Sequence, residues 1–178
     1  MRSSAHLVVV CHANVARSVA AAHLLGAAAD EGALAIEVRT AGTHASDGQP
    51  ASARTRTALE AVLGHAVALG AHRSHQLDDE DVAWADLIVA MEASQVRFVR
   101  RAHPDGASRT ATLAALAAGL PRDGRPLSQR VAAMDLAARD DSTADDVADP
   151  AGGDEAVYVA TMRELVELCG LLMVRLAG

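Results

Sequence analysis

The chain has 178 residues, 51% of them hydrophobic, enough length and apolar content for one sizeable buried core. Its formal net charge is −7, its sixteen basic residues are all arginine, and neither a basic cluster nor an aromatic platform stands out, which argues against nucleic acid as a partner. No stretch is long and apolar enough to span a bilayer, the start lacks the features of a secretory signal, and two cysteines in unlike settings suggest no disulfide framework; the expectation is a soluble chain of the reducing cytoplasm with no membrane partner.

In chain order, residues 6–11 read as a strand and the alanine-rich stretch from about Arg17 to about Asp30 as a helix. Residues 35–40 read as a second strand, with a turn and a helix over about 51–63. Residues 86–91 are a third strand, followed by a helix to about Ala102, and 109–113 a weak fourth. Residues 114–148 are less regular, with a loop over 121–126 and a helix over 127–139, and a terminal helix closes the chain. Neither repeats nor linkers interrupt this order. Strands separated by helices predict an α/β fold of three layers, a short parallel four-stranded sheet with helices on both faces. In such sheets ligands sit beyond the carboxyl ends of the strands.

Cys11 falls at such an end. The segment Cys11-His12-Ala13-Asn14-Val15-Ala16-Arg17-Ser18 follows the first strand and leads into the first helix. Backbone N–H groups of a loop curling from strand to helix can converge on one phosphate, and the Arg17 fork can grip the same oxygens. The same positive field favours the thiolate, the form of Cys11 that attacks phosphorus. Spacing alone is uninformative, because Cys169 also has an arginine six positions on, Arg175. Cys169 sits among Leu165, Leu168 and Leu172 at helical spacing and reads as a buried core thiol. For Cys11 the plain alternative is an ordinary buried cysteine at a strand end.

A second chemical element, Asp149-Pro150-Ala151-Gly152-Gly153, precedes the terminal helix. Proline pushes Asp149 into an extended conformation and the glycines let the loop approach a neighbouring site. A carboxylate delivered there can protonate a leaving oxygen and then take a proton from attacking water. Alternatively, Asp149 merely ends the acidic run of Asp140, Asp141, Asp145 and Asp146 and starts a turn.

The ordered set of Cys-x5-Arg-Ser after the first strand, Thr40-Ala41-Gly42-Thr43 after the second, Ala71-His72-Arg73-Ser74, residues 86–91 and Asp149-Pro150 resembles the low-molecular-weight protein tyrosine phosphatases along nearly the whole chain. The resemblance implies a single phosphatase-like domain over 1–178, with 114–148 as a variable region. It implies Cys11 as nucleophile, Arg17 as phosphate and transition-state clamp, and Asp149 as general acid and base. The phosphate would be bound by the loop of His12, Ala13, Asn14, Val15 and Ala16, with Ser18 hydrogen-bonding the thiolate. Asn14 and His72 would hold the loop in shape; the alternative for His72 is a solvent-facing histidine in a polar turn. The expected reaction is phosphomonoester hydrolysis through a cysteinyl-phosphate, on a phosphorylated protein or a small phosphorylated molecule, with phosphotyrosine protein as the default.

Departures qualify that default. Ala13 stands where the family usually has glycine, Val19 where proline follows Arg-Ser, and Ala16 where a second loop cysteine is common. Phosphotyrosine-directed members commonly place aromatics after Asp-Pro and in the loop after the second strand; here stand Ala151 and His44-Ala45-Ser46-Asp47-Gly48, and the chain's aromatics are Trp84, Phe98 and Tyr158. Bacterial arginine phosphatases resemble the chain in Asp-Pro-x-Gly-Gly and Tyr158, but carry threonine where Val15 stands. A thiol-dependent arsenate reductase and a non-catalytic phosphate-binding relative are the other readings. No cofactor is expected, and no metal, since His65, His72 and His75 lack ligand spacing and the acidic run lacks the glycine and closing glutamate of a calcium loop.

Overall fold

The computed structural model of the chain describes residues 4–140 and 142–178, so Asp141 of the acidic run lies outside the described residues. Alternation along β1 (Ala5–Cys11) sends Leu7, Val9 and Cys11 to one side and Val8 and Val10 to the other, and all five are buried, as a central strand covered on both faces demands. β2 (Ile36–Gly42) and β3 (Leu87–Ala90) flank it, and β4 (Thr110–Thr112) pairs with β3. The order is β2-β1-β3-β4, every pairing parallel.

Two apolar cores result. On the Leu7 face, α1 (Arg17–Glu31), α2 (Ala53–Leu63), α5 (Leu113–Gly119) and α7 (Glu155–Leu176) bring in Leu25, Leu59, Leu116, Met162 and Leu165. On the Val8 face, α3 (Asp79–Trp84) and α4 (Ala93–Ala102) supply Val82, Val96 and Val99. This is the expected three-layer α/β fold. Among the described residues, no helix is long and apolar enough to cross a membrane.

The irregular region contains more helix than its sequence pattern predicts. α5 is capped by Thr112, whose Oγ1 accepts from Ala115 N at 3.3 Å, and then runs through residues of high helix propensity. α3 begins likewise at Asp78, which accepts from Asp81 N at 2.9 Å. The helix expected over 127–139 is α6 (Leu127–Ala132) alone. Asp135 adopts a φ of 46°, which a continuing helix does not hold, and the reversal sends Leu136 into the main core. Its apolar spacing therefore belongs to a turn.

One close approach positions the site. Gly42 ends β2 directly opposite Cys11. A Cβ at this position would lie 2.7 Å from the His12 carbonyl oxygen and 3.1 Å from Asn14 Cβ, so the loop after β1 folds against β2 only over a residue without a side chain.

Candidate active site

The loop of residues 12–16 joins the end of β1 to the start of α1. Ala16, at the helix N-cap, has no side chain able to cap the first turn. Among the described residues, no acceptor engages the backbone N–H groups of 12–16. Unengaged donors at the positive end of a 15-residue helix are an arrangement able to receive an anion.

Asn14 holds this loop open. It is fully buried at a φ of 55°, a conformation asparagine tolerates better than most residues. Its Oδ1 accepts from His75 N at 2.9 Å, which fixes the amide so that Nδ2 donates to Ser18 Oγ at 2.9 Å. With a lone pair of Ser18 Oγ occupied, the hydroxyl hydrogen is left for Cys11 Sγ at 3.0 Å. His72 Nε2 donates to the Asn14 carbonyl at 2.7 Å, so the imidazole is tied to the loop and does not stand free in solvent.

Arg17 is 1% exposed, and a buried guanidinium requires partners. It has three. Nη1 donates to the Val147 carbonyl at 2.8 Å and to Glu92 Oε1, and Nη2 donates to Asp149 Oδ2 at 2.5 Å. Asp149 is thus brought to the loop from 132 residues away, and its Oδ1 accepts from Ala151 N at 3.0 Å in a tight turn. The approach is built from the end of β3: Val147 N donates to Met91 O at 2.8 Å, and Ala93 N to Asp146 Oδ1 at 2.6 Å. Asp146 is therefore a fastener of the loop. Glu92 and Val147 escape a motif reading. Glu92 nevertheless has a signal, its place just past the carboxyl end of a buried parallel strand.

The rim differs from expectation in one respect. His44 stacks on His12, ring centroids 4.7 Å apart, and Phe98 tilts against His44 at 5.4 Å. The loop after β2 thus contributes an imidazole wall where the sequence shows no carbocyclic aromatic. Trp84 is stacked on His6 and covered by Arg39. Ala151 is exposed, and Val15 and Ala13 are half-buried. Ala13 is outside the left-handed region, so the loop's positive φ falls on Asn14, and Val19 is absorbed into the core.

Cys169 stays apart from this chemistry. It is buried in α7, its sulfur 3.9 Å from the Ala21 carbonyl, and burial pushes its thiol up to about 12. A possible cation cluster, His75, Asp78 and Asp81, has donor atoms within 4.8 Å of one another. Those groups already pair, His75 Nε2 lying 2.9 Å from Asp81 and 3.4 Å from Asp78, and burial holds the Asp81 carboxyl above its usual range. His65 is exposed and His72 serves the loop.

The family model described as low molecular weight phosphotyrosine protein phosphatase matches residues 6–178. A protein-arginine-phosphatase of Geobacillus stearothermophilus is 31% identical over 170 residues, covering 96% of this chain and 95% of that protein. A low molecular weight protein tyrosine phosphatase structure from T. tengcongensis is 26% identical with a TM-score of 0.76, covering 96% of this chain and 99% of that one. The structure of a YwlE arginine phosphatase mutant, its active-site cysteine replaced by a serine that is phosphorylated, is 26% identical with a TM-score of 0.77, covering 97% of this chain and 95% of that one.

The two thiols should separate in reactivity. Iodoacetate at neutral pH is expected to alkylate Cys11 in the native protein, more slowly with inorganic phosphate present, and to spare Cys169 until the chain is unfolded. Peptide mass spectrometry reads both. Labelling of native Cys169 at a comparable rate would contradict its placement.

Proposed function

The chain belongs to the low molecular weight phosphotyrosine protein phosphatase family and is a cysteine-dependent phosphatase, and on that premise we propose that Cys11 is the nucleophile, Arg17 the phosphate clamp and Asp149 the proton donor and acceptor. The observation that carries this reading is that Arg17, which opens α1 at the end of the loop that follows Cys11, donates to Asp149 of the distant Asp-Pro loop.

The phosphate enters the loop with its oxygens toward the free N–H groups of 12–16 and the Arg17 fork. Cys11 Sγ attacks phosphorus from the side opposite the leaving oxygen, the P–O bond breaks, and Asp149 gives that oxygen its proton. Asp149, now a carboxylate, takes a proton from water as the water attacks phosphorus. The S–P bond breaks, inorganic phosphate leaves, and the sulfur returns as thiolate, stabilised by the Ser18 hydroxyl. Asn14 and His72 contribute by holding the donors in place, so that little reorganisation accompanies the transfer of charge.

The substrates are phosphorylated protein side chains, with phosphotyrosine the family default. Exposed Ala151 offers a tyrosine ring no stacking partner, and the histidine pair on the other side is a smaller wall. A second reading, phosphoarginine, is favoured by the whole-length likeness to a protein-arginine-phosphatase, by the Asp-Pro-x-Gly-Gly run and by Tyr158. Val15, where the arginine phosphatases carry a threonine hydroxyl, speaks against it.

Cys11→Ser should abolish turnover of para-nitrophenyl phosphate while phosphate still binds, and Arg17→Lys should fail badly, because an ammonium cannot replace the planar fork. Asp149→Asn should slow phenyl phosphate about 10²-fold or more, and para-nitrophenyl phosphate far less, because the second leaving group departs without a proton. Undiminished activity in Cys11→Ser, or equal slowing of both esters in Asp149→Asn, would refute the assignment concerned. On phosphotyrosine peptides kcat/KM should be poor and rise about 2- to 10-fold in Ala151→Tyr, as one added aromatic pair provides. Strong wild-type selectivity for phosphotyrosine over phosphoarginine in the same peptide, unimproved by that change, would contradict the account of the rim.

A further inference from the structure

Asp149 sits on a short loop rich in glycine, and a proton donor on such a loop needs an external strut if it is to stand at one place. Gly152 occupies the left-handed region at a φ of 82°, and a Cβ on Gly153 would lie 2.7 Å from Val157 Cγ1, so neither position can stiffen the loop with a side chain. The loop's near end is fastened to β3 through Val147 and Asp146. Its far end is held from α2. Arg54 Nη2 donates to the Gly153 carbonyl at 2.6 Å, while the Arg54 guanidinium lies 4.2 Å from the centroid of the Tyr158 ring in the first turn of α7. One planar cation thus closes on both the end of the loop and the start of the helix that follows it.

The same end of α2 also touches the phosphate loop. Ser52, the N-cap of α2, donates its backbone N–H to the Val15 carbonyl at 2.8 Å. A single residue, Ala53, therefore separates a contact to the loop of Cys11 from a contact to the loop of Asp149. We infer that Arg54 is a positioning residue for the phosphatase reaction, setting where the Asp149 carboxyl stands relative to the leaving oxygen through its hold on Gly153 and Tyr158. Its contacts run to Gly153 and Tyr158 of the chain itself. The inference rests on the reading of Asp149 as proton donor, and it assigns to α2 the register between nucleophile and acid.

Arg54 is exposed, so its replacement leaves the core intact. The test measures kcat/KM for phenyl phosphate and para-nitrophenyl phosphate in the wild type, Arg54→Ala, Arg54→Lys, Asp149→Asn and the Arg54→Ala/Asp149→Asn double variant. Arg54→Ala should lose about tenfold on phenyl phosphate, part of what general-acid catalysis supplies, and less than about twofold on para-nitrophenyl phosphate. Arg54→Lys, which keeps a cation and a donor, should recover part of the loss. In the Asp149→Asn background the Arg54→Ala loss should vanish, since no proton remains to be aimed. A merely structural role predicts otherwise: equal losses on both esters, persisting in the double variant, would overturn the inference. If Asp149→Asn discriminates between the esters and Arg54→Ala does not, the inference alone falls. If Asp149→Asn itself slows both alike, the acid assignment falls and the inference with it.

Discussion

The arrangement depends first on one buried amide. Asn14 carries the only positive φ of the loop that follows β1, and its side chain and carbonyl reach three other points: the Ser18 hydroxyl, the His75 backbone N–H and the His72 imidazole. A loop whose own N–H groups stay unpaired has no internal reason to remain open, because hydrogen bonding to itself or to water would satisfy those donors. The open shape is imposed from outside. Residues 72–75 hold the loop from one side and the first turn of α1 from the other, and Gly42 lets the backbone of β2 approach closely enough to close the remaining gap.

The second constraint is electrostatic. Arg17 is removed from water and shared between Glu92, Asp149 and a carbonyl, contacts that hold its fork in one plane beside the phosphate loop. A guanidinium has five donors, so an arriving phosphate can be gripped without every one of these contacts being surrendered. The carboxylates come from the end of β3 and from the loop before α7, so three elements distant in sequence are registered on one cation. Arg17, Glu92 and Asp149 are thus linked as parts of one polar network, in which replacing either carboxylate leaves the buried guanidinium short of a partner.

Much of this was legible in the chain. The Val8-Val9-Val10 run, the Ala-rich helix after it and the strand over 86–91 announce a parallel sheet, because uninterrupted apolar strands alternating with helices have few other ways to be buried. Cys11, Arg17, Ser18 and Asp149 were legible as types at spacings, and the resemblance joined them. Glu92 and Val147 were not, because their part depends on where β3 and the irregular segment before Asp149 end in space. The short helices α3 and α5 carry their signals in the capping residues Asp78 and Thr112, which a reading by apolar period passes over. In the segment after α6 the same reading errs the other way, since Leu136 is buried by a turn whose apolar residue falls at helical spacing.

The wiring of Asn14, and not merely its backbone angle, holds the phosphate loop open. The measurement that tests it most directly is kcat/KM of Asn14→Gly on para-nitrophenyl phosphate, since glycine accepts a positive φ freely but can make neither side-chain bond. The expected result is a folded protein whose kcat/KM falls about 10²-fold, the scale on which loss of organised donors acts. A folded Asn14→Gly variant with near wild-type kcat/KM would contradict it.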